Sequence, residues 1–156
     1  MQTTLFIGDF AYSSWSLRGW LLLDAFGIDF QLRSAHMRTP AFEALRTEMA
    51  PARLVPAVRF DLSDHKDVIV WDSLAIAETL AELYPEAGHW PEDPAARAVA
   101  RSVASEMHAG FTALRGACPM NMRRAYSGFE VAEDVRADLA RLSTIWAHAR
   151  RFSTEG

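Results

Sequence analysis

Residues Ala11–Leu23 read AYSSWSLRGWLLL, which sets three serines in front of an apolar run with no acid or base placed to activate them. Two readings fit such a cluster. Serine is favoured at the first turn of a helix, where its oxygen satisfies a backbone N–H that has no helical partner. Alternatively, a hydroxyl here donates a hydrogen bond to an anion that the helix end also attracts. Upstream, Leu5–Gly8 (LFIG) is a short apolar run. Downstream, Leu17, Leu21, Ala25 and Ile28 recur at helical spacing, with Gly27 as the stop. Gly19 inside that helix costs about 1 kcal/mol relative to alanine, so close packing is the expected reason for it.

Working outward, Ile28–Arg33 alternates apolar and polar residues with period two, which predicts a half-buried strand. Pro40–Met49 reads as a short helix. AVRFDL (Ala57–Leu62) and VIVW (Val68–Trp71) read as strands joined by the polar turn SDHKD, a hairpin. Ala77, Leu80, Ala81 and Tyr84 then follow helical spacing, and Pro85 ends that helix. The first two strands, joined through a helix, are expected to be parallel, and the last two antiparallel.

The pattern changes after Tyr84. Pro85, Gly88, Pro91 and Pro94 punctuate a connector, and Asp93-Pro94 suits the start of a new helix. Val99, Val103, Met107, Phe111 and Leu114 extend that helix for more than twenty residues, until Gly116, Pro119 and the 125–128 region break it. A second long helix carries Val131, Val135, Leu139, Leu142 and Trp146 on one stripe. Glu130, Glu133 and Asp134 open it and Arg150 and Arg151 close it, as the helix dipole prefers. The chain is thus a mixed α/β part (1–84), a linker (85–93) and an all-helical part (94–156).

Bulk composition narrows the function. The 156 residues are half apolar and carry a net charge of -4, with no basic run to attract nucleic acid. The opening MQTTLFIGDF has no basic lead-in and meets Asp9 early, which argues against a secretory signal. No apolar stretch approaches the ~20 residues of a membrane span. The single cysteine, Cys118, excludes an internal disulfide framework and suits a reducing compartment, so a cytoplasmic protein is expected. The five histidines lack metal-ligand spacing, so no metal is expected. A serine hydrolase would need a G-x-S-x-G elbow, which the chain lacks.

Three loops remain. Ser13-Ser14-Trp15-Ser16 follows the first strand, Leu54-Val55-Pro56-Ala57 precedes the third, and Trp71-Asp72-Ser73-Leu74 lies between the last strand and its helix. Proline opening a strand is ordinary at a sheet edge. A cis Val55–Pro56 bond, however, would leave the backbone of Val55 open to an added extended peptide. Asp72 and Ser73 are good caps, or else Ser73 and nearby N–H groups hold a carboxylate while Asp72 meets an ammonium group.

In order and spacing, YSSWSLR, the Val–Pro step before a strand, and WDSLAIAETLAE resemble the glutathione S-transferases. The nearest likeness is to the serine-type bacterial and zeta-like group, whose first helix opens with a Ser-Ser-x-Ser pattern. EMHAGFTALRGACPMNMRR is similar to the start of the second domain of a bacterial subgroup, so the resemblance spans essentially the whole chain. It implies a thioredoxin-like glutathione-binding domain followed by an all-α domain, here incomplete, since family members continue through several more helices. Residue by residue, it implies that Ser13 hydrogen-bonds the glutathione sulfur, with Ser14 as the fallback. Val55 would pair with the cysteinyl part beside a cis Pro56, and Asp72 with Ser73 would hold the γ-glutamyl end.

A basic or amide residue often precedes the family's Val–Pro step; here Leu54 does, with Arg53 one residue earlier as the candidate contact. Alternation in an extended segment points the two to opposite sides. Trp15, Met107, His108 and Phe111 are the candidate wall of an electrophile pocket, with core packing as the plain alternative for those at helical spacing. The implied activity is conjugation of glutathione, as co-substrate, to small hydrophobic electrophiles by a homodimer. A glutathione-dependent isomerase of the maleylacetoacetate type and a non-catalytic interaction module are the alternatives.

Overall fold

A computed structural model of the chain describes residues 2–62 and 65–152, and it divides into two units, residues 1–89 and 90–156. Unit 1 runs β1 (Thr3–Ile7), α1 (Ser14–Asp24), β2 (Gln31–Ser34), α2 (Pro40–Glu48), β3 (Ala57–Leu62), β4 (His65–Trp71) and α3 (Ser73–Leu83), then a 3₁₀ turn at Pro85–Ala87. The sheet order is β2-β1-β3-β4, with β1 parallel to β2 and antiparallel to β3, and β3 antiparallel to β4. Residues 63–64 of the expected SDHKD turn lie outside the described residues.

Alternation along the strands builds a core on each face of the sheet. Leu5, Ile7, Val58 and Phe60 point to one face, where Leu23 of α1 and Leu80 of α3 cover them. Phe6 and Ala57 point to the other, against Leu45 of α2 and Met49. Because both faces are covered, every residue of β1 is buried. A mixed sheet with α1 and α3 on one side and α2 on the other is thioredoxin-like.

Two expectations in this unit need correcting. The strand expected over 28–33 begins only at Gln31, and β2 is exposed along its whole length rather than half-buried. Ile28 belongs instead to the closure of α1: Gly27, at φ +67°, donates its N–H to Asp24 O (3.2 Å), and the Ile28 N–H donates to Leu23 O (3.0 Å). That pairing is a Schellman closure, and it buries the Ile28 side chain beside Leu23. With Ile28 spent on the helix end, β2 is left as a short edge strand.

Unit 2 contains α4 (Pro94–Ala109), α5 (Thr112–Ala117) and α6 (Glu133–Arg150). Asp93 caps α4 by accepting the Ala96 N–H at 2.7 Å. The helix expected to pass beyond twenty residues stops after sixteen, at Ala109. Gly110 turns the chain, and a Cβ there would sit 2.9 Å from Glu106 O. Phe111 then adopts φ +62°, which ends the α-helical path although its side chain keeps the expected spacing and is buried. Arg115 seals the break by donating from Nε to Gly110 O at 3.0 Å and from Nη2 to Met107 O.

The expected stripe on α6 is also rotated. Val135 and Ile145 are buried, whereas Leu139 and Trp146 are exposed. The packed face includes Asp138, whose carboxylate accepts the Leu114 N–H at the start of α5 (2.9 Å), so a polar residue sits where an apolar pattern would be sought.

Glu106 of α4 and Arg141 of α6 form a bidentate pair at 2.5 and 2.8 Å. The hydrogen bond from Arg141 holds the Glu106 carboxyl below its ordinary value of 4.5 and raises the Arg141 guanidinium. A depressed carboxyl contributes stability above its unfolded pKa and loses it as pH falls through the folded one. Glu106→Gln is therefore expected to destabilise the chain at neutral pH and to shrink that difference steadily below pH 4.5. Urea melts at stepped pH check this; a gap that widens on acidification would contradict it.

Candidate functional site

Strand register gathers the candidate loops at one end of the sheet. Phe6 pairs with Ala57, Ala57 with Trp71, and Ile7 with Ser34. The C-terminal ends of β1, β2 and β4 therefore lie beside the N-terminal end of β3. The loops around Ser13, residues 35–39, Val55–Pro56 and Asp72–Ser73 all emerge there. In open α/β sheets this carboxyl end of the strands is the usual place for a ligand.

Ser13 is the N-cap of α1: its Oγ accepts the Ser16 N–H at 3.2 Å, and its own N–H donates to Asp9 O at 3.1 Å. Capping uses an oxygen lone pair and leaves the hydroxyl proton to donate elsewhere. The two readings of the serine cluster are thus compatible in one residue. No acidic residue stands in the first turn of α1. Ser14 is the first helical residue and is half-buried. Ser16 was not singled out, yet it is almost fully buried and its Oγ accepts the Gly8 N–H at 2.9 Å, joining the end of β1 to α1. Its place as the third serine of the cluster was the available signal.

The Val55–Pro56 peptide is cis, as the resemblance implied. The Ala50–Pro51 peptide is cis as well, which the sequence reading did not anticipate. β3 begins at Ala57, so the backbone of Val55 lies outside its ladder. Pro56 is buried against α1, and Gly19 explains how: a Cβ at that glycine would stand 2.4 Å from Pro56 Cβ and 2.9 Å from Cγ. The expected close packing is therefore real, and its partner is the proline of the candidate site. Arg53 and Leu54 are both exposed, Leu54 to 78%.

Asp72 caps α3 by accepting the Leu74 N–H at 2.9 Å. Its backbone sits at φ +74°, a region that costs a residue with a side chain roughly 1–3 kcal/mol and recurs at ligand sites. Ser73 opens α3 and is buried. Trp15 is half-buried, with the Arg18 guanidinium 4.3 Å from its ring centre.

In unit 2, Met107 and Phe111 belong to the α4–α5 junction, where Met107 Sδ lies 3.7 Å from Arg115 Nη2 and Phe111 is buried; His108 is half-buried. A separate groove of about 310 Å³ runs between α4 and α6, lined by Val99, Val103, Ile145 and His148 among others, and includes none of these three. Cys118 is exposed, and among the described residues no cluster of three or more acidic, histidine or cysteine side chains suits a metal ion.

Taken together, unit 1 has the form of a thioredoxin-like domain in which one end of the sheet carries a helix-capping serine, a cis-proline turn and a strained Asp-Ser turn, with helices following. Residues 12–83 match the family described as "Glutathione S-transferase, N-terminal domain". Comparison with curated proteins gives no match. Among solved structures, glutathione transferase Omega 2S from Trametes versicolor is 22% identical, with a TM-score of 0.67 over 92% of this chain and 59% of its own. A glutathione transferase homologue from Burkholderia gl BGR1, solved with bound glutathione, is 23% identical, with a TM-score of 0.65 over 95% and 67%. Maleylacetoacetate isomerase from Anaeromyxobacter dehalogenans 2CP-1, with glutathione in its active site, is 23% identical, with a TM-score of 0.61 over 98% and 71%. At these identities the likeness is one of fold. The family match itself covers residues 12–83 only. The chain spans 59% to 62% of the length of the first solved structures that it matches.

Proposed function

We propose that this chain is a glutathione transferase in which Ser13 stabilises the thiolate of glutathione for attack on a small hydrophobic electrophile. The observation that carries the reading is the gathering of the Ser13, Val55–Pro56 and Asp72–Ser73 turns at one end of a thioredoxin-like sheet. The bound glutathione of the Burkholderia and Anaeromyxobacter proteins supports the choice of ligand.

A free thiol ionises near pH 8.5, so little of it is thiolate at neutral pH. A hydroxyl donor at a helix N-terminus favours the anion, and one pKa unit needs about 1.4 kcal/mol, within reach of one charge-assisted hydrogen bond. Ser13 then needs no base, because it donates and the ligand's sulfur is the nucleophile. The sulfur proton leaves to solvent, and the carbon–sulfur bond forms as the electrophile releases its leaving group or accepts a proton. Val55 offers its backbone N–H and C=O to the cysteinyl segment, and Asp72 and Ser73 take the γ-glutamyl ammonium and carboxylate. Arg53 is a candidate for a further carboxylate; Ser14 is the fallback donor. Trp15 is proposed to stand beside the electrophile. A homodimer and a cytoplasmic location complete the proposal.

The match to a maleylacetoacetate isomerase favours a second reading, in which glutathione is returned unconsumed. Product analysis separates the two activities. Calorimetric titration with glutathione tests what they share: saturable binding is expected, weakened about tenfold or more by Ser73→Ala, which removes a hydrogen bond to a charged group. A folded chain that does not bind glutathione would leave the non-catalytic module as the better account.

A further inference from the structure

We infer that Asp9 is a positioning residue of the glutathione site, fastening the loop after β2 to the turn that presents Ser13. The inference rests on the glutathione reading above and adds a residue to it. Asp9 works in two directions. Its backbone carbonyl accepts the Ser13 N–H at 3.1 Å, so it holds the residue that offers the hydroxyl. Its carboxylate reaches 27 and 28 residues along the chain, where Oδ1 pairs with His36 Nδ1 and Oδ2 accepts the Met37 N–H at 3.1 Å.

The clamped loop is tied down further. Thr39 Oγ1 donates to His36 O at 2.6 Å and accepts the Phe42 N–H at the start of α2. Arg38, between Met37 and Thr39, sits at φ +63°, in the left-handed region that few residues with a side chain adopt. Met37 meets the first loop from the other side: a Cβ on Gly8 would come within 3.1 Å of Met37 Cγ and 3.6 Å of Ser16 Oγ. Asp9, Gly8, Ser13 and Ser16 thus form one junction against which Met37 rests. The Asp9 side chain is 14% exposed, whereas His36 is 78% exposed, so the carboxylate is the held partner and the loop is what it fastens. Without the carboxylate, Met37 and its loop are free to move off the wall of the site beside Ser13, and glutathione must order them on binding.

Asp9→Ala removes both side-chain bonds, while Asp9→Asn keeps a neutral acceptor for the Met37 N–H. The expected order of glutathione affinity is wild type, Asp9→Asn, Asp9→Ala, with losses of about threefold and about tenfold. In the ligand-free chain the Met37 amide should exchange faster in the same order, with little change in the melting midpoint. Should Asp9→Ala not fold, Asp9→Asn decides: wild-type affinity and wild-type Met37 exchange in that variant overturn the inference. Equal affinity in wild type and a folded Asp9→Ala overturns it too, leaving the glutathione reading intact. Failure of the wild type itself to bind glutathione overturns that reading, and this inference with it.

Discussion

Ser13→Ala is expected to slow glutathione conjugation at neutral pH by roughly 10- to 100-fold, the worth of a hydrogen bond to a charged group. The variant also loses the cap of α1, since Ser13 Oγ accepts the Ser16 N–H. That loss costs about 1 kcal/mol of stability, which a folded domain tolerates. The rate effect should shrink as pH rises toward the ordinary thiol range, where glutathione ionises without help. Steady-state rates across pH, beside a melting curve, separate the two effects. A uniform rate loss at every pH would mean that the hydroxyl shapes the site and does not favour the anion. Ser14→Ala serves as the comparison, because Ser14 lies inside the helix and not at its cap.

Substitution at Gly19 should have the largest structural effect. In an open helix Gly→Ala stabilises by about 1 kcal/mol. Here the new Cβ would lie 2.4 Å from Pro56 Cβ, on a ring that cannot swing aside. Overpacking of this kind costs about 1–3 kcal/mol, so the clash outweighs the propensity gain and Gly19→Ala is expected to be destabilising. Gly19→Val adds two methyl groups and a β-branched side chain to the same contact, and should exceed that cost. Both variants push Pro56, and with it Val55, so glutathione affinity should fall along with stability. Urea denaturation and calorimetric titration measure the two losses; a Gly19→Ala chain more stable than wild type would contradict the packing argument.

Gly19 also shows how far the sequence could be read. Its cost inside a helix was visible, and so was the need for a close neighbour, but the neighbour is Pro56, 37 positions away, beyond the reach of periodicity. The serine cluster, the Val–Pro step and the Asp-Ser turn were legible because each combines a local conformational demand with a loop position. Asp9 was not, since its partners at His36 and Met37 come near it only when β1 and β2 pair in parallel.

Periodicity misled at three places for different reasons. Ile28 fitted an alternating strand but completes the helix closure at Gly27. Phe111 kept a helical spacing while its backbone left the helix after Gly110. On α6, Asp138 turned inward to serve the Leu114 N–H, which moved the buried face away from Leu139 and Trp146. At Ile28 and Asp138 a backbone hydrogen-bonding requirement took precedence over the apolar pattern, and at Phe111 a turn of the backbone did; such requirements leave little trace in residue type.

The central claim is that the N-terminus of α1 and the Ser13 hydroxyl together keep a bound thiol ionised. Its most direct test is ultraviolet titration of the thiolate of glutathione bound to the wild-type chain and to Ser13→Ala. The account predicts a bound thiol that ionises at least about one pH unit below the free one, as one charge-assisted bond allows, with most of that shift lost in the variant. A thiol that ionises in the wild-type site no more readily than in buffer would contradict it.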